Sequence, residues 1–235
     1  MKLVSKLLEK LFSKNKVGVN NYPNLKNWIE NELKSTVKGK KILDAGAGEL
    51  RFKEKCCHLE YLSQDICQYD GKGDGKGLQT EKWDFSGIDI ISDIINIPVE
   101  DESFDYILCS EVFEHIPDPV KALKEFDRIL KKNGEIIITV PFSSKTHFSP
   151  YYYYSGFSIN FFKYHLKDYE ILKANYNGDL GEVCASYTRE ILGKQESILN
   201  KFISFLFLNI IKKTNIQYEN DICHGLQLRL KKCAV

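Results

Sequence analysis

The sequence lacks an excess of charge of either sign. Lysine plus arginine number 33 and aspartate plus glutamate 32 among 235 residues, which leaves a formal net charge of +1. A protein that binds nucleic acid through a broad electrostatic surface carries a basic excess. We therefore expect no nucleic-acid partner.

The sequence also lacks a metal or redox motif. Its seven cysteines include no C-x-x-C pair, and its five histidines are dispersed without a ligand spacing. We expect no metal site and reduced thiols, the usual state in the cytoplasm, which is the predicted location. The length of 235 residues suits one α/β domain, so we predict a single domain over residues 1–235.

A third absence is a long apolar run. A bilayer span takes about 20 apolar residues, and the two most apolar segments are shorter or broken by charge. Residues 1–16 predict a lysine-flanked amphipathic helix without a signal-peptide cleavage site, which we expect to pack on the protein. Residues 197–213 predict a buried or interfacial helix. Contact of either segment with a membrane surface remains the alternative.

Short apolar runs alternate with helical patterns through the rest of the chain. The runs cover residues 41–46, 60–66, 88–94, 104–111, 135–142, 169–175 and 224–232. One helix is predicted over 24–37, and a second has Asp118 as N-cap, Pro119 at its first position and Gly134 at its end. Near-continuous apolar runs are typical of strands in a parallel sheet. We therefore predict a doubly wound α/β fold.

Residues 70–77, "DGKGDGKG", occupy the place of a crossover helix. Four glycines at alternate positions disfavour a helix, since each costs roughly 1 kcal/mol relative to alanine. Gly77 stands where a phosphate loop has serine or threonine, and Asp70 and Asp74 lack the other ligands of a calcium loop. We expect a surface loop that acts as a flap over a pocket.

Residues 41–50, "KILDAGAGEL", are typical of a strand that ends in a nucleotide-binding loop. Gly46 and Gly48 let the backbone pass close to a ligand. A dinucleotide fingerprint has a third glycine where this sequence has Arg51. Asp44 would repel a pyrophosphate and suits an ammonium group. These residues disfavour a dehydrogenase.

The segment "ILDAGAG" is similar to the first motif of class I S-adenosylmethionine-dependent methyltransferases. The later stretches "YLSQD", "ISDI", "FDYILCSEVFEHIPDP" and "LKKNGEIIITVP" agree in order and spacing with the type 11 branch. The resemblance covers about residues 40–142. It implies a Rossmann-like sheet of about seven strands, mostly parallel with the last antiparallel, and helices on both faces. It also implies S-adenosylmethionine as cofactor and S-adenosylhomocysteine as product, with residues 1–39 as a helical cap and 143–235 on the acceptor side.

The resemblance implies ten cofactor-binding residues. Asp65 would accept the ribose hydroxyls, Asp93 the adenine amino group, and Ser110 and Glu111 would lie near the methionine end. The others are Asp44, Gly46, Ala47, Gly48, Ile66 and Ile94. Carboxylates suit hydroxyl and amino donors, and acids at the ends of successive parallel strands share one edge. Turn capping is the alternative for Asp65 and Asp93.

Two histidines are candidates for the catalytic base. Methyl transfer is an in-line displacement in a dry site, and a hydroxyl acceptor gains from a base, most often histidine. His115 follows the fourth predicted strand and His147 the fifth. For His115 a structural role, in which it holds the loop or the start of the next helix, is favoured over catalysis. For His147 a structural role and a catalytic role are equally favoured.

The aromatic segment 148–154 is the candidate acceptor site. Phe148, Tyr151 and Tyr154 are the predicted substrate-binding residues, and a lid packed on its own aromatic side chains is the alternative. "THFSPYYYYSGF" resembles a subgroup of bacterial type 11 enzymes commonly encoded near surface-glycan genes. We therefore predict O-methylation of a small polar acceptor, such as an activated sugar or glycan precursor. The alternatives are a C-methyltransferase on a quinone-like or lipid acceptor at the membrane, and a non-catalytic cofactor-binding module.

Overall fold

The computed structural model describes residues 18–193, 198–214 and 222–234. The chain divides into two compact units, one of residues 26–175 with 225–235 and the other of residues 1–25 with 176–224. The helix predicted over residues 1–16 lies outside the described residues, and the single domain over 1–235 stays a prediction. No helix in the described ranges is long and apolar enough to cross a membrane.

Seven strands form one sheet. They are β1 (Lys41–Ala45), β2 (Glu60–Asp65), β3 (Ile90–Ile91), β4 (Phe104–Ser110), β5 (Leu130–Pro141), β6 (Tyr169–Asn177) and β7 (Gly225–Lys232). Their order is β3-β2-β1-β4-β5-β7-β6. Strands β1 to β5 pair in parallel and β7 runs antiparallel to β5. The predicted α/β class and the mostly parallel seven-stranded sheet with an antiparallel last strand are confirmed.

The described residues form five α-helices. They are α1 (Asn21–Lys34), α2 (Pro119–Ile129), α3 (Ile159–His165), α4 (Leu180–Gly193) and α5 (Ile198–Thr214). The start of α2 is as predicted, because the Asp118 carboxylate accepts a hydrogen bond from the Lys121 backbone N–H at 3.1 Å and Pro119 follows.

Several predicted boundaries were wrong. Helix α2 ends at Ile129 rather than at Gly134, because the buried Leu130 already pairs with Phe104 in the sheet. Helix α1 covers residues 21–34 instead of 24–37. Strand β3 contains only residues 90 and 91 of the predicted run 88–94. Pairing between strands that are distant in sequence decides where such helices and strands end. The local sequence pattern does not contain this information.

The central strands are buried on both faces. Ile42 and Leu43 of β1 and Ile107 and Leu108 of β4 are neighbours along their strands, and all four are fully buried. Adjacent residues of a strand point to opposite faces of the sheet. The near-continuous apolar runs therefore reflect burial on both sides, as expected for the parallel part of the sheet.

A buried ion-pair network ties α1 to the antiparallel edge of the sheet. The Arg229 guanidinium of β7 donates to Glu32 of α1 at 2.9 Å and to Glu135 of β5 at 2.5 Å. Lys173 of β6 donates to the other Glu32 oxygen at 2.8 Å. Glu32 is 4% exposed and Arg229 8%. Buried charges of this kind are tolerated only when they are paired.

Helix α5 confirms the helix predicted over residues 197–213 and has one exposed apolar face. Leu208 is fully buried. Six other large apolar residues, spaced three or four apart, are 43% to 65% exposed: Leu199, Phe202, Ile203, Leu206, Phe207 and Ile210. An apolar face of this size and regularity is typical of an interaction surface.

Candidate active site

A cavity of about 340 Å³ lies where the loops after β1, β2 and β4 meet. In an open α/β sheet this is the point at which the strand order reverses, and ligands bind there. Six of the ten predicted cofactor-binding residues line it: Gly46, Asp65, Ile66, Asp93, Ile94 and Glu111. The topology thus brings together residues that are up to 65 positions apart in the sequence.

The two glycines after β1 have conformations and surroundings that exclude a side chain. Gly46 has φ +72°, and a Cβ there would lie 2.6 Å from a methyl group of Val112. Gly48 has φ +51°, and its Cβ would lie 2.9 Å from the Trp83 ring. The N–H groups of Gly46 and Ala47 both donate to the Gln64 carbonyl, at 2.8 and 2.9 Å. Both glycines are therefore required by the loop itself.

Asp65 is held at the cavity by the backbone. One of its oxygens accepts from the Gly48 N–H at 2.9 Å and the other from the Cys67 N–H at 2.8 Å. A carboxylate has about four acceptor positions, so both oxygens keep one for a ligand hydroxyl. Asp93 likewise accepts from the Ile95 N–H at 3.1 Å through one oxygen. For both acids, capping of a turn and ligand binding are compatible roles.

Asp44 and Ser110 lie outside the residues that line the cavity. The Asp44 carboxylate is 4% exposed and accepts a hydrogen bond from the Tyr61 hydroxyl at 2.7 Å. Burial raises the pKa of Asp44 to about 7, the Tyr61 hydrogen bond opposes this rise, and the charge of Asp65 adds to it. The Ser110 hydroxyl lies 3.1 Å from that of Thr139. Their predicted contacts with the cofactor stay predictions.

Glu111 is the acid of the cavity wall at the end of β4. It has φ +54°, an uncommon conformation for a residue with a side chain. Its N–H donates to the Thr139 carbonyl at 3.0 Å, and its Oε1 is buried without a hydrogen-bond partner among the described residues. Burial raises the pKa of Glu111 to about 8, and the charge of Glu114 adds to the rise.

The two candidate histidines come together although 31 residues separate them in the sequence. Their ring centroids are 4.7 Å apart, and His115 lines the cavity while His147 is not among its lining residues. Each Nε2 faces the same oxygen of Glu114, at 3.6 Å from His115 and 3.7 Å from His147. Burial lowers the pKa of His115. Burial also acts to lower the pKa of His147, but the Glu114 carboxylate outweighs it and raises that pKa.

Aromatic side chains form much of the remaining wall. The Phe148 ring lies 5.2 Å from His115, 4.7 Å from Tyr69 and 5.4 Å from Trp83, measured between centroids. Phe148 and Tyr151 line the cavity as predicted.

Tyr154 does not line the cavity. Its hydroxyl donates to the Pro117 carbonyl at 3.0 Å, and its ring packs 5.3 Å from that of Phe157. Tyr153 takes a place in the wall instead. The geometry gives no support to the predicted binding role of Tyr154.

Sequence reasoning missed three aromatic residues that flank the glycine-rich loop. Tyr69, Trp83 and Phe85 all line the cavity. The signal was present, because "QY" and "KWDF" border the loop that was predicted to cover a pocket.

The glycine-rich loop is joined to the segment after β5 by backbone hydrogen bonds. The Asp74 N–H donates to the Ser149 carbonyl at 2.9 Å, and Leu78 exchanges hydrogen bonds with Thr146 and Phe148 at 3.1 and 2.9 Å. Asp74 also accepts from the Lys76 N–H at 3.0 Å. Asp74 therefore stabilises the turn, and the loop is fixed to the segment that carries the aromatic wall. A role as a flap over the cavity stays a prediction.

Comparisons with known proteins indicate the class of this fold. Residues 43–138 match the family model described as a methyltransferase domain. The chain is 33% identical over 112 residues to the demethylmenaquinone methyltransferase of Thermotoga maritima, covering 46% of each chain. It is 25% identical over 112 residues to the ubiquinone biosynthesis O-methyltransferase of Coxiella burnetii, covering 48% of this chain and 47% of that one. The chain thus spans about half the length of these curated relatives or less.

A solved structure with the same fold is a SAM-dependent methyltransferase from Archaeoglobus fulgidus. Its TM-score is 0.57 at 18% identity, covering 94% of this chain and 99% of that one. The fold, the motif order and the match of residues 43–138 to the methyltransferase-domain model are together consistent with a class I S-adenosylmethionine-dependent methyltransferase domain of the type 11 branch. The cofactor expected from the sequence fits the two side-chain-free glycine positions and the free acceptor positions of Asp65.

Proposed function

We propose that the protein transfers the methyl group of S-adenosylmethionine to a hydroxyl of a small acceptor that contains a flat aromatic or quinol ring. One observation carries the proposal: a single cavity contains the cofactor-binding positions Gly46, Asp65 and Asp93 together with an aromatic wall and a titratable acid. Aromatic side chains stack on flat rings and exclude water, which a methyl displacement requires.

Different residues of the cavity bind different parts of the cofactor. Asp65 accepts from the ribose hydroxyls and Asp93 from the adenine amino group, and the loop of Gly46 lets the cofactor approach the backbone. The bound cofactor supplies an electrophilic methyl group on a sulfonium. The rings of Trp83 and Phe148 provide a dry wall that stabilises this positive charge.

Glu111 is the residue we assign to accept the proton of the acceptor hydroxyl. It lines the cavity, its Oε1 is unpartnered in the described structure, and its pKa of about 8 is in the range of an effective general base. His115 is less suited to this role, because its Nδ1 faces the Tyr151 carbonyl and its Nε2 faces Glu114. The predicted base roles of His115 and His147 remain the alternative.

The pH dependence of the reaction tests the assignment of Glu111. A base must be deprotonated, so kcat/KM rises with pH until Glu111 has titrated, and the positive cofactor moves the limb of kcat toward neutral pH. We expect Glu111→Gln to lose this ascending limb and about 100-fold or more in kcat. His147→Asn is the matched comparison, and loss of the limb in that variant alone would reassign the base.

Calorimetric titration tests the cofactor site. We expect S-adenosylmethionine and S-adenosylhomocysteine to bind, NADH not to bind, and Asp65→Ala to weaken binding at least tenfold through two lost ribose contacts. Glu60→Ala, an exposed acid at the other end of β2, is the control and should bind normally. Absence of binding by both sulfur compounds to folded protein would refute the proposed function.

The acceptor is identified by transfer of a labelled methyl group. The panel contains hydroxylated aromatic and quinol compounds in one set and nucleotide-activated sugars in the other. Labelled product from the first set supports an acceptor with a flat ring, and product from sugars alone would favour the glycan precursor predicted from the sequence. Cofactor binding without turnover on either set or on a cell extract would favour the non-catalytic module.

A quinone-like acceptor held in a membrane is the second candidate, because α5 exposes six large apolar side chains on one face. The α5 sequence contains three lysines and no acidic residue, which suits an anionic lipid surface. The two curated relatives are named for menaquinone and ubiquinone biosynthesis.

Sedimentation with lipid vesicles tests the membrane candidate. We expect the protein to sediment with anionic vesicles and less with neutral ones, and Phe202→Glu with Leu206→Glu to abolish this. Tyr164→Glu, which changes a 69% exposed side chain of α3, is the control. Equal recovery in the supernatant with and without vesicles would exclude a membrane surface for α5.

A further inference from the structure

Three side chains of the kind that bind metal ions converge beside the cavity. Glu114 and His115 belong to a short turn of 3₁₀ helix after β4, and His147 comes from the loop after β5. Both Nε2 atoms face Glu114 Oε1, at 3.6 and 3.7 Å, and the three candidate ligand atoms lie within 4.8 Å of one another. The three residues come from two segments that are distant in the sequence and share no local motif.

The cluster leaves polar atoms buried without partners. Glu114 is 0% exposed, and neither of its carboxylate oxygens has a hydrogen-bond partner among the described residues. The Nε2 atom of His115 is likewise buried without a hydrogen-bond partner among the described residues. Buried polar atoms are nearly always satisfied, and an unpaired buried carboxylate is especially costly. A positive species between these atoms would satisfy them.

The other nitrogen of each ring indicates what that species is. His115 Nδ1 faces the Tyr151 carbonyl, and His147 Nδ1 lies 2.8 Å from the Lys145 carbonyl. A carbonyl only accepts, so each Nδ1 carries a proton and each neutral ring presents an electron pair at Nε2. Two such pairs and a carboxylate oxygen then face one another. Histidine ligands of metal ions commonly have this arrangement, with the second ring nitrogen donating to a backbone carbonyl.

We propose that Glu114, His115 and His147 bind a divalent transition-metal ion of the Zn²⁺ type. Imidazole nitrogens and a carboxylate oxygen are suitable ligands for Zn²⁺, at about 2.0 to 2.2 Å. Tetrahedral geometry at these lengths separates ligand atoms by about 3.4 Å, close to the 3.6 and 3.7 Å observed. The ligand atoms of the two histidines lie within 4.8 Å of each other and would move up to about 1.4 Å closer on binding. Three protein ligands leave a fourth position for water or an acceptor oxygen.

The ion would fix the acceptor side of the cavity. The Tyr153 N–H donates to the Glu114 carbonyl at 2.8 Å, so the same turn already contacts the segment after His147. That segment carries the wall residues Phe148, Tyr151 and Tyr153. A metal bridge between Glu114 and His147 would hold the wall against the end of β4. The proposal departs from the absence of a metal site expected from the sequence, and it stands whether or not the proposed activity is correct.

The competing occupant of the cluster is a proton. An imidazolium at His147 would also neutralise Glu114, and the direction of its pKa agrees with that state. The two occupants differ in measurable ways. A metal is removed by a chelator and restored by addition, whereas a proton is governed by pH alone.

Metal analysis and thermal unfolding of the whole chain test the proposal. After treatment with a chelator and dialysis, the protein is titrated separately with Zn²⁺, Mn²⁺ and Mg²⁺. We expect one equivalent of Zn²⁺ to bind, to raise Tm, and to bind more tightly than the other two ions. Substitution by Co²⁺ should give the visible spectrum of a four-coordinate site.

Variants distinguish Zn²⁺ binding at the cluster from Zn²⁺ binding at other histidines. We expect His147→Ala and Glu114→Gln to weaken Zn²⁺ binding at least tenfold, and His147→Cys, which keeps a ligand, to retain it. His165→Ala, on an exposed histidine of α3, is the control and should bind as the parent does. His147 lies on a loop, so its variants are expected to fold even where Glu114→Gln does not. Failure of Zn²⁺ to bind, or equal binding by parent and His147→Ala, would overturn the proposal.

Discussion

Several single residues of this site have an environment or a backbone conformation that lowers the stability of the fold. Asp44 is fully enclosed, and its carboxyl is neutral below a pKa of about 7 because burial disfavours the charge. Glu111 and Phe148 line the cavity with φ of +54° and +53°, in the left-handed region that costs about 1 kcal/mol or more for such residues. Strained or unsolvated residues of this kind are common at functional sites, where binding outweighs their cost to stability.

The enclosed Asp44 predicts a dependence of stability on pH. Its folded pKa of about 7 lies above its ordinary value of 3.8, so the folded state binds a proton that the unfolded state releases. The contribution of Asp44 to stability is complete below about pH 4 and is lost as the pH rises to about 7. We expect the free energy of unfolding of Asp44→Asn, relative to the parent, to increase by about 2 kcal/mol between pH 5 and pH 8.

Urea unfolding at the two pH values provides the measurement. The amide oxygen introduced by Asp44→Asn would still accept the Tyr61 hydrogen bond, so packing is preserved in the variant. Asp105→Asn serves as the comparison, since contacts with Lys41 and Lys131 hold the pKa of Asp105 below its usual value despite its partial burial. If the difference in free energy of unfolding between the parent and Asp44→Asn stays constant with pH, the assigned pKa is contradicted.

The glycine loop predicts a loss of cofactor binding on the smallest substitution. In Gly46→Ala the new methyl group meets Val112 at 2.6 Å and the residue is forced to keep φ +72°. We expect destabilisation by about 1 to 3 kcal/mol and at least a tenfold rise in the Kd for S-adenosylmethionine by calorimetry. Gly75→Ala is a control with a positive φ but open space around it. Unchanged affinity in Gly46→Ala would show that the loop adjusts freely.

At the scale of elements, α1 is fixed to the sheet by charge as well as by apolar packing. Glu32 accepts from both Arg229 and Lys173, and its removal leaves the buried Arg229 with Glu135 as its one carboxylate partner, beside the Ser35 hydroxyl. We expect Glu32→Ala to lower the free energy of unfolding by about 3 to 5 kcal/mol. Glu30→Ala is the surface control, since its partners Lys26 and Lys55 are partly exposed, and should cost less than about 1 kcal/mol. Equal effects of the two substitutions, measured in urea, would rule out a structural role of the buried network.

Elements also differ in how far the sequence predicted them. The strands and helices with strong patterns, such as β1, β4 and α2, were predicted because their apolar periodicity and capping residues are local features. The end of α2 and the length of β3 were missed. Both depend on which neighbouring strand offers hydrogen bonds, and that information is not local.

At the scale of the whole molecule, ligand binding is linked to the unfolding of one unit. Both tryptophans, Trp28 and Trp83, belong to the unit of residues 26–175 with 225–235, which also contains the cavity. We expect S-adenosylhomocysteine at 100 times its Kd to stabilise this unit by about 2.7 kcal/mol. The shift should appear in a urea titration followed by tryptophan fluorescence and should be absent in Asp65→Ala at the same ligand concentration. A shift of equal size in that variant would place the ligand elsewhere.

The amino-acid sequence was sufficient to predict the fold class, the parallel sheet, the family, and the positions of Gly46, Asp65 and Asp93 at one edge. It was sufficient because alternating patterns and short motifs are encoded by neighbours along the chain. The folded structure was needed to show that Trp83 lies over Gly48, that Tyr153 lines the cavity where Tyr154 does not, and that His147 meets Glu114 and His115. These contacts join segments that are distant in sequence, and their geometry follows from the packing of the whole sheet and its loops.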